Sequence, residues 1–226
     1  MSVSEDRTVQ PSPASPAAVS GIADPAPLGL AAFALTTFLL SAKNANWMTH
    51  ATGNAFLGYA FAYGGLCQLL AGMWEFRNRN VFGATAFASY GGFWIGLGLW
   101  FQLVAVPQLT AVAKAPLVVR AATAAAINHD IGWILLAFAI FNTYMLIMAT
   151  QVNAAVFGVF LTLEITEIIL FIANFSLGAA ATSGLVQLGG YVGLVTALVA
   201  WYTSAAGVAN GIGGRILLPV GRPLIA

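Results

Sequence analysis

The chain has 226 residues, of which 60% are hydrophobic and 7% charged, with a mean hydropathy of +0.87 and a formal net charge of +1. A soluble domain carries charge on about a quarter of its residues, so the solvent around most of this chain is lipid. No run of Lys or Arg offers the basic field that nucleic acid needs, and the single Cys67 cannot close an internal disulfide.

Residues 1–23 are rich in Pro, Ser and Ala and lack the continuous apolar stretch of a signal peptide, which reads as a disordered cytoplasmic tail. Six apolar blocks of spanning length follow, at 27–42, 52–76, 82–106, 131–150, 153–175 and 185–208. Lipid admits only helices or closed barrels, and blocks this uniformly apolar lack the alternation of barrel strands. The expected fold is therefore an all-α integral membrane protein, a bundle of six transmembrane helices over 24–221, with 222–226 a short cytoplasmic end. With both termini inside, Arg7, Arg77, Arg79, Arg215 and Arg222 collect on the cytoplasmic side, against Lys43, Lys114 and Arg120 outside.

The first span opens on "ADPAPLGLAAF", where Asp24 can cap and Pro25 and Pro27 fall in a first turn whose N–H groups have no partners. This span is short; it either extends toward Trp47 or is sheltered by protein. The second span begins near His50 and contains Cys67, a small buried hydrophobe in an apolar helix. Glu75, at its inner end, is read as an interfacial salt bridge holding loop to bundle, as a cytoplasmic gate, or as a partner of Arg215. Gly92 and Gly96 on the third span and Gly189 and Gly193 on the sixth allow close helix approach, within a protomer or between protomers. His129, beside Asp130, opens the fourth span; neither histidine has the ligand spacing of a haem or metal site, and no cofactor is expected.

Glu164 and Glu167, three apart on the fifth span, share one helical face with no Lys or Arg inside any span to neutralise them. They read either as a proton relay or titratable gate, or as protonated carboxyls bonding a neighbouring helix through Asn142 or Gln68. No nucleophile elbow, phosphate-binding loop or His-Glu helix motif occurs, so no enzyme is expected.

"DPAPLGLAAFALTT", residues 24–37, resembles the signature of the acetate uptake transporter family, the succinate–acetate permeases. "YGGLCQLLAGMWEFRNRNVFGATAFASYGGFW" resembles the second and third spans of that family, and "RILLPVG" its ending. The signature covers Asp24, Pro25, Ala26, Pro27, Leu28, Gly29 and Leu30, with Asp24 where the family has Asn. The resemblance implies a homo-hexamer with one pore per protomer, moving acetate and related small monocarboxylates, in some members succinate, in a proton-linked or channel-like way. It also implies an apolar constriction of Phe33, Tyr90 and Leu163, a one-residue shift placing Glu164 there instead.

A bare carboxylate crossing hydrocarbon would face a Born cost on the order of tens of kcal/mol, so a polar path is required. Thr36, Thr37, Asn54, Gln68, Thr85 and Ser89 are candidates to line it, each equally able to bond a backbone carbonyl instead. A pore for a neutral solute such as urea or ammonia is the alternative.

Overall fold

The computed structural model describes residues 21–48, 54–180 and 182–225. Most of the expected tail, His50, and the expected start of the second span at Thr52 lie outside the described residues. Six helices are long and apolar enough to cross a membrane: α1 (Ala26–Asn44), α2 (Phe56–Arg77), α3 (Val81–Ala111), α4 (Leu117–Ala149), α5 (Ala154–Ser176) and α6 (Gly184–Gly213). No strand occurs among the described residues.

The starts of these helices follow local chemistry. α1 begins with Pro25 at its N-cap and a proline in its first turn, and the Asp24 carboxylate accepts from the Ala26 N–H at 2.9 Å. Asn80 caps α3 by accepting from Gly83 N–H, Asn153 caps α5 from Val156 N–H, and Ser183 caps α6 from Val186 N–H. α6 stops at Gly214, whose φ of 57° is left-handed. α2 and α3 each contain a widened π turn, at Ala62–Cys67 and Phe101–Ala105. The second lies just before Pro107, which has no N–H to give to the helix ladder.

Three helices run past the expected spans, α6 ending at Gly213 rather than at 208. α3 runs on to Ala111, and α4 starts at Leu117 rather than at 131, so its 33 residues extend about 50 Å where the hydrocarbon core needs about 30 Å. The reason is that Arg120, Asn128, His129 and Asp130 interrupt the apolar run without interrupting the helix, because none of them breaks backbone hydrogen bonding.

The helices form a ring. α1 packs along α6, α6 along α5, and α5 along α4; on the other side α1 meets α2, and α2 packs along α3. Backbone-close glycines make the tight seams: a Cβ on Gly91 of α3 would lie 2.6 Å from Leu69 N of α2, and one on Gly190 of α6 would lie 2.8 Å from Ser41 O of α1. Gly189 abuts Leu170 and Gly193 abuts Ser41, so that pair works inside the protomer, whereas Gly92 and Gly96 face open space. Aromatic rings close the ring between α3 and α4, with Phe93 and Phe138 at 4.5 Å and Tyr90 and Phe141 at 5.5 Å.

After α6 the chain turns back across the end of the bundle where α1 starts. Asn210 accepts from Leu217 N–H and donates to Leu218 O, Tyr202 OH donates to Pro219 O at 2.6 Å, and Val220 O accepts from Ala155 N–H.

Candidate functional site

Two chambers lie within the ring, one at each end, separated by a narrow waist. The lower chamber, where α1 starts, is a cavity of about 300 Å³ bordered by Asp24, Leu30, Glu75, Phe82, Phe160 and Asn210, among others. The upper chamber, where α1 ends, is about 500 Å³ and is bordered by Lys43, Asn44, Asn54, Phe101, Asn128 and Asn174, among others. Between them is a cavity of only about 40 Å³, bordered by Phe33, Thr37, Tyr90, Trp94, Leu163 and Glu167, among others.

Helix geometry brings the three expected constriction residues together. Phe33 on α1 and Tyr90 on α3 stack edge to face at 5.7 Å, and Leu163 on α5 joins them in one buried cluster. All three are at least nine-tenths buried. Leu163, not Glu164, borders the central cavity.

The two acids do different things. Glu164 turns toward α4, where its Oε2 accepts from Asn142 Nδ2 and its Oε1 from Thr143 Oγ1, each at 2.7 Å. Glu167 turns toward the waist: its Oε1 accepts from Tyr90 OH at 3.3 Å, and its Oε2 is buried with no hydrogen-bond partner among the described residues. Tyr90 OH is also 2.9 Å from Asn142 Oδ1. Asn142, fully buried, thus links Glu164 to Tyr90, and Tyr90 links to Glu167. Of the two partners expected for the acids, Asn142 bonds Glu164, whereas Gln68 lies on α2 with its Oε1 unpartnered among the described residues.

Two more buried polar atoms at the waist lack partners among the described residues, Thr37 Oγ1 and Trp94 Nε1. Buried polar groups are nearly always satisfied, so three such atoms around one small cavity mark a place suited to a polar occupant.

The other pathway candidates divide. Thr37 borders the central cavity and Asn54 the upper chamber. Thr36 is fully buried against α2, donates to Ala32 O at 3.1 Å and fills the gap left by Gly64. Thr85 and Ser89 are half-buried on α3 and border neither chamber nor the central cavity. A helix apolar on every side offers no polar stripe to set its rotation, and that is why these faces were not separable by sequence. The signature motif serves packing: Gly29 lets the Phe87 ring come against α1, and Pro27 O accepts from Ser204 OH at 2.6 Å. Glu75 is buried at the lower chamber with Oε1 unpartnered among the described residues, while Arg215 is exposed. His129 rests against the rings of Phe175 and Trp133, 5.4 and 6.1 Å away.

Lys43 borders the upper chamber and is absent from the candidates read from sequence, because the first span was drawn to end at residue 42. It is inside α1, donates to Asn54 Oδ1 at 2.8 Å, and lies 5.3 Å from the ring centres of both Phe56 and Phe101. The sequence signal was available: a lysine directly following an apolar span, three residues before a glycine-like turn at Asn46, whose φ is 64°.

Comparison with known proteins agrees with this architecture. The chain is 40% identical over 202 residues to "Acetate permease A" of Emericella nidulans and 36% identical over 199 residues to "Ammonia transport outward protein 2" of Saccharomyces cerevisiae. These alignments take in 88% and 86% of this chain but 65% and 64% of the two fungal proteins, so the chain spans about two thirds of their length or slightly less. It is 31% identical over 201 residues to "Succinate-acetate/proton symporter SatP" of Escherichia coli K12, covering 89% of this chain and 96% of that protein. The solved "Structure of the bacterial acetate channel SatP" superposes with a TM-score of 0.73 at 30% identity, over 88% of this chain and 99% of that one. The profile of the GPR1/FUN34/yaaH family matches residues 6–221. By fold, by length of match and by identity, this multi-pass membrane protein belongs to the GPR1/FUN34/yaaH family.

Proposed function

We propose that the chain is a membrane transporter, not an enzyme, that carries acetate and related small carboxylates, succinate among them, along a passage within each protomer. The observation that carries this reading is the pair of chambers meeting at Phe33, Tyr90 and Leu163, with three unpartnered polar atoms beside them. The names of the relatives support the substrate class.

A carboxylic acid near the reference pKa of about 4.3 is almost wholly anionic at pH 7. The hydroxyl of Thr37 and the indole N–H of Trp94 can donate to that anion without holding it as firmly as a buried cation would. The rings of Phe33 and Tyr90 pass a short methyl end and exclude hydrated ions. Glu167, whose Oε2 faces the waist, and Glu164 behind it are the proton-coupling candidates. The protomers assemble as a hexamer, with both termini and the lower chamber facing the cytoplasm.

Uptake of labelled acetate and succinate into proteoliposomes, with and without a proton gradient, tests the reading. Expected is uptake above empty vesicles for at least one acid, altered severalfold by Phe33→Ala or Tyr90→Ala. Uptake equal to empty vesicles for both acids overturns it. A neutral-solute pore is the second reading, favoured by the relative named for ammonia transport. Urea flux and ammonia-driven pH change in the same vesicles decide between them.

A further inference from the structure

The two chambers differ in charge. Among the described residues, Lys43 is the single charged side chain bordering the upper chamber, whereas Asp24 and Glu75 border the lower one. A route with a cation in one chamber and two acids in the other is electrically one-sided.

Lys43 is held in place. It belongs to α1, and its ammonium rests 5.3 Å from the ring centres of both Phe56, at the start of α2, and Phe101, at the π turn of α3. Those rings stack edge to face at 5.7 Å, so the cation rests against a fixed aromatic pair. Of its three N–H donors, one goes to Asn54 Oδ1. Neither an amide oxygen nor a ring face cancels a full positive charge, and no carboxylate pairs with Lys43 among the described residues. An ionised group inside a spanning segment generally has a charged partner or faces a water-filled cavity. Here it faces a chamber of about 500 Å³, roomy enough for a small carboxylate.

We infer that Lys43, resting against the Phe56–Phe101 pair and tethered by Asn54, is the carboxylate-capturing residue of the upper chamber, drawing the permeant in as an anion before it reaches the waist. The inference takes its ligand class from the carboxylate reading and gives that route a capture point. It also gives the route a specificity: the upper chamber concentrates anionic over neutral solutes, and chloride competes for the same charge. Capture by one point charge suits transport, since a single ammonium without a bidentate fork releases what it binds.

Two measurements on the full-length chain separate the inference from the reading beneath it. The first is broadening of the ¹³C-acetate resonance by detergent-solubilised protein, which reports binding without transport. Lys43→Met keeps an unbranched apolar stem of similar length and removes the charge; Lys43→Arg keeps the charge. Expected is broadening by the parent chain and by Lys43→Arg, reversed by chloride, and loss of at least fivefold of the effect in Lys43→Met. The second is initial acetate uptake against concentration in proteoliposomes. Expected for Lys43→Met is a half-saturation raised at least fivefold, a maximal rate within twofold of the parent, and an unchanged urea leak. A common elution profile for the three proteins certifies the fold; if Lys43→Met alone misfolds, Lys43→Gln takes its place. Broadening and half-saturation both unchanged without the charge overturn the inference and leave carboxylate transport standing. Charge-dependent binding in a chain whose vesicles take up no acid supports the capture site and overturns the transport reading.

Discussion

At the scale of single residues, the buried acids are the sharpest test of coupling. Glu164 is saturated by Asn142 and Thr143, and Glu167 leaves one oxygen toward the waist. If protons cross with the acid, Glu167→Gln replaces an exchangeable site with a fixed amide, and Glu164→Gln sets amide against amide at Asn142. Acetate flux that depends on pH in the parent should then flatten in the variants, read as the ratio of initial rates at two pH values. An unchanged ratio in both variants makes the pair structural, a carboxyl network that joins α3, α4 and α5 through Tyr90. Two acids three apart in an apolar helix were conspicuous in the sequence, and so was Asn142 as a partner. Which acid faces the waist was not, because both lie on the face that the helix buries. The difference comes from neighbours: Asn142 and Thr143 on α4 claim Glu164, and among the described residues Tyr90 alone hydrogen-bonds Glu167.

At the scale of helices, adjacent glycines on α3 make opposite predictions. Gly91 lies against the backbone of α2, and a methyl there would sit 2.6 Å from Leu69 N and 2.9 Å from Gly65 O. Backbone cannot move aside as a side chain can, so Gly91→Ala should destabilise the bundle by about 1–3 kcal/mol. Its neighbour Gly92 meets nothing within 4 Å inside the protomer, so Gly92→Ala should shift the thermal midpoint in detergent far less than Gly91→Ala does. Equal midpoints for both variants would mean that α2 and α3 do not close this tightly. Sequence length and hydropathy found all six helices, since spanning length is a one-dimensional property. They did not find the true start of α4, where four polar residues lie beyond the depth that demands apolar side chains. Nor did they place Thr36, Thr85 and Ser89, whose positions depend on helix rotation.

At the scale of the whole molecule, the exposed surface says what the protomer lacks. Gly92 and Gly96 present a smooth strip of α3 outward, unlike Gly189 and Gly193, which are consumed inside the protomer. A strip of this kind suits contact between protomers in the hexamer that the family resemblance implies. Native mass spectrometry of the detergent-extracted chain should show a sixfold mass, shifted to smaller species by Gly92→Ile combined with Gly96→Ile. A monomer in the parent chain would overturn the assembly.

The segment that turns back after α6 has a further consequence. Val220 borders the lower chamber while its carbonyl accepts from Ala155 N–H, in the first turn of α5, and Thr150 O, at the end of α4, accepts from Leu224 N–H at 2.7 Å. These residues rim the lower chamber: they hydrogen-bond to α5, to α6 and to the residue that ends α4, and lie outside the helix-to-helix seams of the ring. A proteolytic nick after Gly214 would therefore open the lower mouth while leaving the six spans in place, and a fusion partner attached at that end would be tethered beside the mouth. Access to the passage and integrity of the bundle can thus be altered separately in this chain.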